Sequence, residues 1–494
     1  MSARLKFPVA AALLLAACAV GPDFERPAAP AVSGYTPENL APDTAAADIA
    51  GGAAQHFAAG QDIPGEWWTL FHSEPLNALI AESLKANPDL QAAQAALRQA
   101  QELVYAQEGV FFPSVDGSFQ MQREKINGAA SGEPNLRGIF NLSTAAVSVS
   151  YPLDVFGGER RQLESTEAQA EFQRFQLEAA YLTLTSNVVA AAVQESGLRA
   201  QIAATRDIID GQSKQVEVLR QQFNLGGVAK SAVLAQETIL AQTRATLPPL
   251  QKQLAQQRNR IAALAGRFPS QDTPQTFELA GLQLPQELPV SLPSQLVEQR
   301  PDVRASEAQL HQASAQIGVA TANMLPQFTI TGDIGSTALA VGSLFTPGTG
   351  VWSIAAAVAQ PIFHGGTLLH QKRAAEAAYD EAAAQYRSTV IAAFQNVADA
   401  LRALQADADA LKASLAAEQA AADSLGLARD QFKLGAISYP ALLDSQTAYQ
   451  QTRIALVQAQ ANRYADTAAL FQALGGGWWN RTDVAADAGV RKNN

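Results

Sequence analysis

The chain has 494 residues and a formal net charge of −11, with 16% charged side chains, 48% hydrophobic ones and only 7% aromatics. Its apolar content is mostly alanine and leucine, which favours close-packed helices and a large core, and the acidic balance without a basic stripe excludes a nucleic-acid surface. The single cysteine, Cys18, excludes an internal disulfide and a cysteine metal cluster.

At the N-terminus, Arg4 and Lys6 make a positive start, Phe7 to Leu15 an apolar run, and Leu15-Ala16-Ala17-Cys18 a small-residue cleavage site ending in a thiol. The set resembles a bacterial lipobox, which implies a signal peptide over residues 1–17 and a mature chain beginning at a lipidated Cys18. The apolar run is too short to span a bilayer as a helix. Ala19 rather than aspartate follows, which in lipoproteins of this kind implies the outer membrane. No later stretch reaches 18 consecutive apolar residues without a charge or glycine, so a membrane crossing by this chain has to use strands.

Residues 18–70 form an N-terminal segment that, up to about residue 60, is rich in Ala, Pro, Gly and Asp without a period, predicting an extended stretch on the surface. A first repeat, 71–285, follows. Trp67-Trp68-Thr69-Leu70-Phe71 leads into a short helix with Leu76, Leu79, Ile80 and Leu84 on one stripe, and Asn87-Pro88 supplies an N-cap and an N1 proline for a second helix to about Phe111. Alternation then predicts a β-hairpin over 114–152, with Val115, Gly117, Phe119 and Met121 in one strand, Val147, Val149 and Tyr151 in the next, and a Gly-rich loop from Asn127 to Gly138 between them. From Gly158 to Asn224 there is no proline, and some 65 helical residues span roughly 100 Å. The chain turns near Gly226 and Gly227, since glycine enters the left-handed conformation that closes a helix without a Cβ clash. The returning helix, Ser231 to Ala265, contains Pro248-Pro249 and is expected to break there.

The same plan is written again over 286–474. Arg300-Pro301-Asp302-Val303 answers Asn87-Pro88-Asp89-Leu90 at an offset of 213 residues, and Leu325-Pro326 answers Phe112-Pro113 at the same offset. A second hairpin, 327–360, alternates Phe328, Ile330, Gly332 and Ile334, then Trp352, Ile354, Ala356 and Val358. A long helix from about Thr367 to Lys433 keeps Val390, Phe394, Val397, Leu401, Leu404, Ala408, Leu411 and Leu415 on one seam at alternating four-three spacing, a coiled-coil pattern. Gly435 closes it within Gln431-Phe432-Lys433-Leu434-Gly435-Ala436-Ile437, which repeats Gln222-Phe223-Asn224-Leu225-Gly226-Gly227-Val228 after 209 residues. The last helix covers Ala441 to Leu474, and residues 475–494 form an irregular tail.

Nothing in the sequence carries catalysis. Gly226-Gly227-Val228-Ala229-Lys230-Ser231 lacks the glycine before the lysine that a phosphate loop needs. His56, His72, His311, His364 and His370 include no i, i+4 pair, so neither a zinc site nor a triad is predicted, and His311 reads as a helix-surface residue. The expectation is therefore no enzyme, no metal and no cofactor.

The order of the remaining motifs resembles the outer membrane factors, TolC-like channels of the NodT/OprM lipoprotein branch. They are Cys18-Ala19-Val20-Gly21-Pro22-Asp23-Phe24 with Arg26-Pro27, Trp67-Trp68 with Phe71, Pro75-Leu76-Asn77-Ala78-Leu79-Ile80, the helix starts at Pro88 and Pro301, both Leu-Gly turns, Leu442-Leu443-Asp444-Ser445-Gln446 and Ala473-Leu474-Gly475-Gly476-Gly477-Trp478. The resemblance implies a mixed, mainly α, internally duplicated fold. It implies a homotrimer with a twelve-stranded β-barrel in the outer membrane, four strands per chain, a periplasmic α-helical barrel and an equatorial collar. Strand counting also demands an oligomer, because the smallest spanning barrels have about eight strands and four cannot close.

The function implied is that of the outer-membrane channel of a tripartite efflux system: a passive exit duct for drugs or other small toxic molecules. Its partners are a periplasmic adaptor and an inner-membrane pump, and it is lipid-anchored in the outer membrane, extending through the periplasm of a Gram-negative bacterium. The alternatives are a type I protein secretion duct and a non-channel periplasmic lipoprotein scaffold; the latter leaves the paired amphipathic strands without a purpose. By the same resemblance Asp444, Pro440 and Leu443 sit at the channel tip, where three copies of Asp444 form a negative ring, while the ordinary alternative is an aspartate favoured at a helix start by the dipole. The family's tip leucine falls on Pro440, and the arginine often found three residues beyond the aspartate is Thr447. Cys18→Ser should block processing, and mass spectrometry of the mature N-terminus should find Cys18 modified; an unmodified Cys18 in membrane-extracted protein overturns the lipobox reading.

Overall fold

The computed structural model describes residues 19–38, 40–127 and 137–481. The expected signal peptide, Cys18, most of the Gly-rich loop and the end of the tail lie outside these residues. In chain order the first half contains β1 (His56–Ala59), α1 (Glu74–Ala86), α2 (Pro88–Glu108), β2 (Ser114–Asn127), β3 (Arg137–Leu153), α3 (Gly158–Asn224) and α4 (Lys230–Leu264). The second half contains β4 (Glu287–Val290), α5 (Pro293–Gln299), α6 (Pro301–Ala322), β5 (Gln327–Ala338), β6 (Gly350–Ala359), α7 (Thr367–Lys433) and α8 (Tyr439–Ala473). The duplication is exact in helix length: α3 and α7 each have 67 residues, α4 and α8 each 35.

Two compact units interleave along the chain. The first holds residues up to Pro27, Ala96–Arg174 and Ala305–Arg387; the second holds Ala28–Ala95, Phe175–Arg304 and Ser388–Asn494.

The first unit contains a four-stranded antiparallel sheet in the order β2-β3-β5-β6. Against its helices lies the stretch from Ala19 to Pro27. Val20 N–H donates to Phe156 O at 3.0 Å, and the Arg161 guanidinium donates to Val20 O at 3.1 Å and to Asp23 Oδ1 at 2.6 Å. Gly21 meets Gly318 backbone to backbone, so closely that a Cβ on Gly21 would stand 2.4 Å from the Gly318 Cα. Phe24 stacks on the His311 ring at 4.3 Å, and His311 Nε2 lies 2.9 Å from Glu164 Oε1. His311 is thus a packed partner of the N-terminal segment and not the idle helix-surface residue expected from its isolation in the sequence.

The second unit is built on the helix-cap and seam signals. Asn87 Oδ1 accepts from the N–H groups of Asp89 and Leu90 at 2.9 and 3.2 Å, the side-chain cap that an Asn-Pro start predicts. In the second repeat Arg300 stands in that place; its guanidinium instead pairs with Asp302 at 2.6 Å and donates to Ala473 O at 2.8 Å. Along α7, Val390, Val397, Leu401, Leu404, Ala408 and Leu411 are buried, the seam read from the sequence. The expected break in α4 does not occur. Pro248 and Pro249 lie inside a continuous helix, on its exposed face, so the carbonyls that lose their helical donors are accessible to water.

Two strands were missed by periodicity. β1 and β4 form a parallel pair with His56 opposite Glu287 and Val290 opposite Ala59, four residues long and interrupted by Pro289, too short for alternation to register. The segment before β1 is extended as expected, but it is fastened rather than merely laid on the surface. Arg463 of α8 is fully buried, and its Nη2 donates to Thr44 Oγ1, Ala53 O and Gln55 Oε1 at 3.0–3.1 Å. Gln55 Nε2 in turn donates to Pro285 O and Thr467 Oγ1. The closing Gly475-Gly476-Gly477 run has positive φ throughout, and each glycine faces a different neighbour: Gln299 O, the Leu182 side chain and the carbonyls of Ile63 and Pro64. A side chain at any of the three would meet an atom within 2.7 Å.

One turn beyond Arg463, Asp466 faces Asp407 of α7, and desolvation followed by the carboxylate neighbour pushes its pKa up to about 7. A raised folded-state pKa means that stability is highest below the unfolded value near 3.8 and falls as pH rises towards 7. Asp466→Asn removes this loss. The gap in melting temperature between Asp466→Asn and the parent should widen from pH 4.5 to 7.5 and then stay level; a gap that does not change with pH refutes the assignment.

Candidate functional site

Two features of the chain carry chemistry suited to a membrane or a pore, and each lies within one unit. The first is the sheet. Its register places residues of alternating parity on common faces: Val115 pairs with Val149, Val147 with Ile334, Ile334 with Trp352, and Phe328 with Val358. One face therefore collects Val115, Phe119, Met121, Val147, Val149, Ile330, Ile334, Trp352, Ile354 and Val358. All of these side chains are exposed, from Val149 at 38% to Trp352 and Ile354 at more than three-quarters. The other face carries Ser114, Asp116, Ser118 and Gln120 on β2, Ser148 and Ser150 on β3, Thr329, Thr331 and Asp333 on β5, and Ser353 on β6. On it the Asp333 carboxylate accepts from Ser148 Oγ at 2.6 Å and Ser353 Oγ at 3.1 Å, tying three strands by hydrogen bonds.

Exposed rows of large apolar side chains are costly in water, at roughly 25 cal/mol per Å² left wet. A sheet with such a face and a polar opposite face fits the boundary between hydrocarbon and an aqueous lumen. No helix among the described residues is long and apolar enough to cross a membrane. In the sheet order β2 and β6 are the edges, each paired on one side only among the described residues.

The second feature is the double helical hairpin. Both turns are the same device: Gly226 N–H donates to Phe223 O and Gly227 N–H to Gln222 O, while Gly435 N–H donates to Phe432 O and Ala436 N–H to Gln431 O, all at 2.8–3.0 Å. Gly226 and Gly435 have φ of 78° and 72°. Gly227 does not need to be glycine, because Ala436 makes the equivalent bond. Under the turns a small core forms from Leu219, Val233, Leu425, Ala428, Tyr439 and Leu442, with Leu443 packed against its edge. The Tyr439 hydroxyl donates to Gln236, and burial pushes its pKa well above the ordinary value, keeping it neutral.

The three tip residues named from the sequence separate in role. Leu443 packs into its own hairpin, whereas Pro440 and Asp444 are exposed, Pro440 in the first turn of α8 and Asp444 one turn further on. The Ala235 that stands in Asp444's place in the first repeat packs against the core. Two residues that pattern reading passed over are Leu225 and Leu434, one at each turn, 87% and 84% exposed. The signal was present in the repeated Leu-Gly pair, which was read only for its glycine.

Lys230 and Ser231, weighed against a phosphate loop, begin α4 immediately after the turn. Among the described residues no group of His, Asp and Glu side chains is arranged to hold a metal ion. Gly226→Ala and Gly435→Ala should each loosen the turn by about 1 kcal/mol, seen as faster hydrogen exchange of the tip amides, while Gly227→Ala leaves the rates unchanged.

Comparison with known proteins bears on both features. The toluene efflux pump outer membrane protein TtgC of Pseudomonas putida is 28% identical over 481 residues, 96% of each chain. The cation efflux system protein CusC of Escherichia coli is 27% identical over 97% of this chain and 100% of its own. The solved structure of the outer-membrane channel OprN superposes with a TM-score of 0.83 at 28% identity, over 93% of this chain and 100% of that one. The sequence pattern of the outer membrane efflux protein family matches twice, over residues 79–267 and 292–476, one match for each half of the duplication. With its duplicated helical hairpins, its four-stranded sheet and the fold of these channels, the chain belongs to the outer membrane efflux protein family.

Proposed function

We propose that this protein is the outer-membrane exit duct of a tripartite efflux system, a homotrimer that passes drugs or other small toxic molecules without catalysing any reaction. The observation that carries the reading is the two-faced sheet with two unpaired edges, which is stable in hydrocarbon only when copies of itself close it into a barrel. Three copies supply twelve strands. The apolar row through Val149, Ile334 and Trp352 then faces lipid, and the row through Ser148, Asp333 and Ser353 lines the lumen.

Cys18 is the lipid anchor in this reading. The residue after it, Ala19, lies against Gly157 just beyond β3, where a Cβ on the glycine would come within 2.6 Å of it. The exposed Leu225 and Leu434 are the apolar contacts offered to a periplasmic adaptor, which couples the duct to an inner-membrane pump that supplies the energy.

Asp444 is the charge at the constriction. It is exposed on α8 and has no acidic counterpart in the first repeat, so the shared packing does not require it. Three carboxylates in one aperture raise the local cation concentration. Reconstituted in planar bilayers, the protein should conduct, with a preference for cations that falls in Asp444→Asn together with block by divalent cations from the periplasmic side. Absence of conductance from folded protein overturns the duct; unchanged selectivity and block in the neutral variant leave Asp444 an ordinary helix-start residue.

A further inference from the structure

The internal duplication fixes how one copy must meet the next. Between the repeats, β2 maps onto β5 at an offset of 213 residues and β3 onto β6 at 209, as Pro113 and Pro326 and then Pro152 and Pro361 show. These offsets can be checked inside the chain. Applied to Ser114 opposite Ser150, they give Gln327 opposite Ala359, which is the pair observed. The two hairpins are therefore equivalent residue for residue. The chain also holds one junction between hairpins, β3 with β5, where Ser150 lies opposite Thr331 and Leu153 opposite Phe328.

We propose, resting on the trimeric reading above, that the outer edge of β6 pairs antiparallel with β2 of a second copy in the register obtained by carrying that junction through the duplication. Ser150 maps to Ala359 and Thr331 to Ser118, so Ala359 stands opposite the partner's Ser118. It follows that Ala355 stands opposite the partner's Gln122 and Val358 opposite the partner's Phe119.

Two features not used in obtaining the register agree with it. The apolar face is continuous across the seam, since Val358, Ala356 and Ile354 meet the partner's Phe119, the partner's Met121 and the stem of the partner's Arg123; a slip of one residue would put apolar against polar faces. Finally, residues 360–362 are not a strand in the single copy although their counterparts Tyr151, Pro152 and Leu153 are, because the counterparts have β5 beside them and 360–362 have no strand on that side. The seam supplies the missing neighbour. It brings Ile362, 92% exposed in one copy, opposite the partner's Val115, itself 64% exposed.

Double-cysteine variants of the full-length protein in detergent or outer membranes test this, because opposed residues of an antiparallel pair are about 4.5–5.5 Å apart, within disulfide reach. β2 and β6 are opposite edges of the sheet, so a bond between them reports contact between copies. Ala355→Cys with Gln122→Cys, and separately Ala357→Cys with Gln120→Cys, should on mild oxidation give covalent dimers and closed trimers that survive boiling in detergent. Ala355→Cys with Gln120→Cys or Glu124→Cys should not. Thr144→Cys with Thr337→Cys, an observed pair within the chain, is the folding control and shifts mobility without joining copies. Cross-linking of an off-register pair in preference, or of none in a protein that native mass spectrometry finds trimeric, overturns the register while the trimer stands. A monomeric parent protein overturns the trimer and the seam together.

Discussion

Backbone amides and carbonyls in hydrocarbon have no water to bond, and this constraint governs the chain. A strand edge left open there costs several kcal/mol for each unsatisfied group, far more than any side-chain contact recovers. The sheet of the first unit pairs β3 and β5 on both sides over most of their length and leaves β2 and β6 paired on one side only among the described residues. Everything that distinguishes the two faces follows from keeping a strict period of two along four strands. A single insertion in β3 or β5 would turn Val147, Val149 or Ile334 to the polar side and carry Asp333 to the apolar one. The four-residue difference between the two repeat offsets falls between β2 and β3 on one side and β5 and β6 on the other, where a hairpin loop absorbs it without moving any strand.

The helices obey a different economy. Their backbone bonds are internal, so length is free and packing decides sequence. Small residues let neighbours approach, as where Gly197 meets the Ala461 methyl and where Ala393, Ala400 and Ala408 share a buried seam with leucines. Charges that enter this environment arrive with partners. Glu195 is fully buried and is bound by Arg199 at 2.7 Å and Arg258 at 2.9 Å, and Arg258 also reaches Asp272. Desolvation pushes the Asp272 carboxyl up, but the Arg258 guanidinium and the Thr273 N–H together outweigh it and hold the group below its usual range. Such a network specifies one alignment of α3, α4 and the chain beyond, because breaking it strands a charge in a dry place.

Much of this was legible in the sequence because it was written twice. The hairpin turns, strand starts and helix lengths recur at fixed offsets, and a coincidence of proline, glycine and alternation at two places says more than any one motif. The cap at Asn87 and the seam along α7 were legible for local reasons, a side-chain oxygen ahead of a proline and a four-three spacing. What stayed hidden depends on distant neighbours. The pairing of β1 with β4 joins residues some 231 positions apart through strands of four, and nothing local marks them. His311 has Glu307 one helical turn before it, but the partners it uses, Phe24 and Glu164, come from elsewhere in the chain. The prolines of α4 misled because a proline is harmful to a helix only where the carbonyls it orphans are shut away from water, and exposure cannot be read from the residue itself. At the tip, the leucines of the repeated Leu-Gly pair were visible, but only coordinates separate a leucine that packs from one that faces outward.

Arg463 has a consequence in time. Its bonds to Thr44, Ala53 and Gln55 join positions about 410 residues apart, so a stretch made among the first receives this buried fastening only when almost the whole chain exists. Until then Thr44 Oγ1, Ala53 O and Gln55 Oε1 lack this donor, and the stretch they belong to rests on the β1–β4 pair and the Gln55–Pro285 bond. The last helix therefore acts as a completion signal: a chain truncated before α8 keeps the contacts of Ala19–Pro27 and of β1 but lacks the buried guanidinium that ties Thr44, Ala53 and Gln55 together.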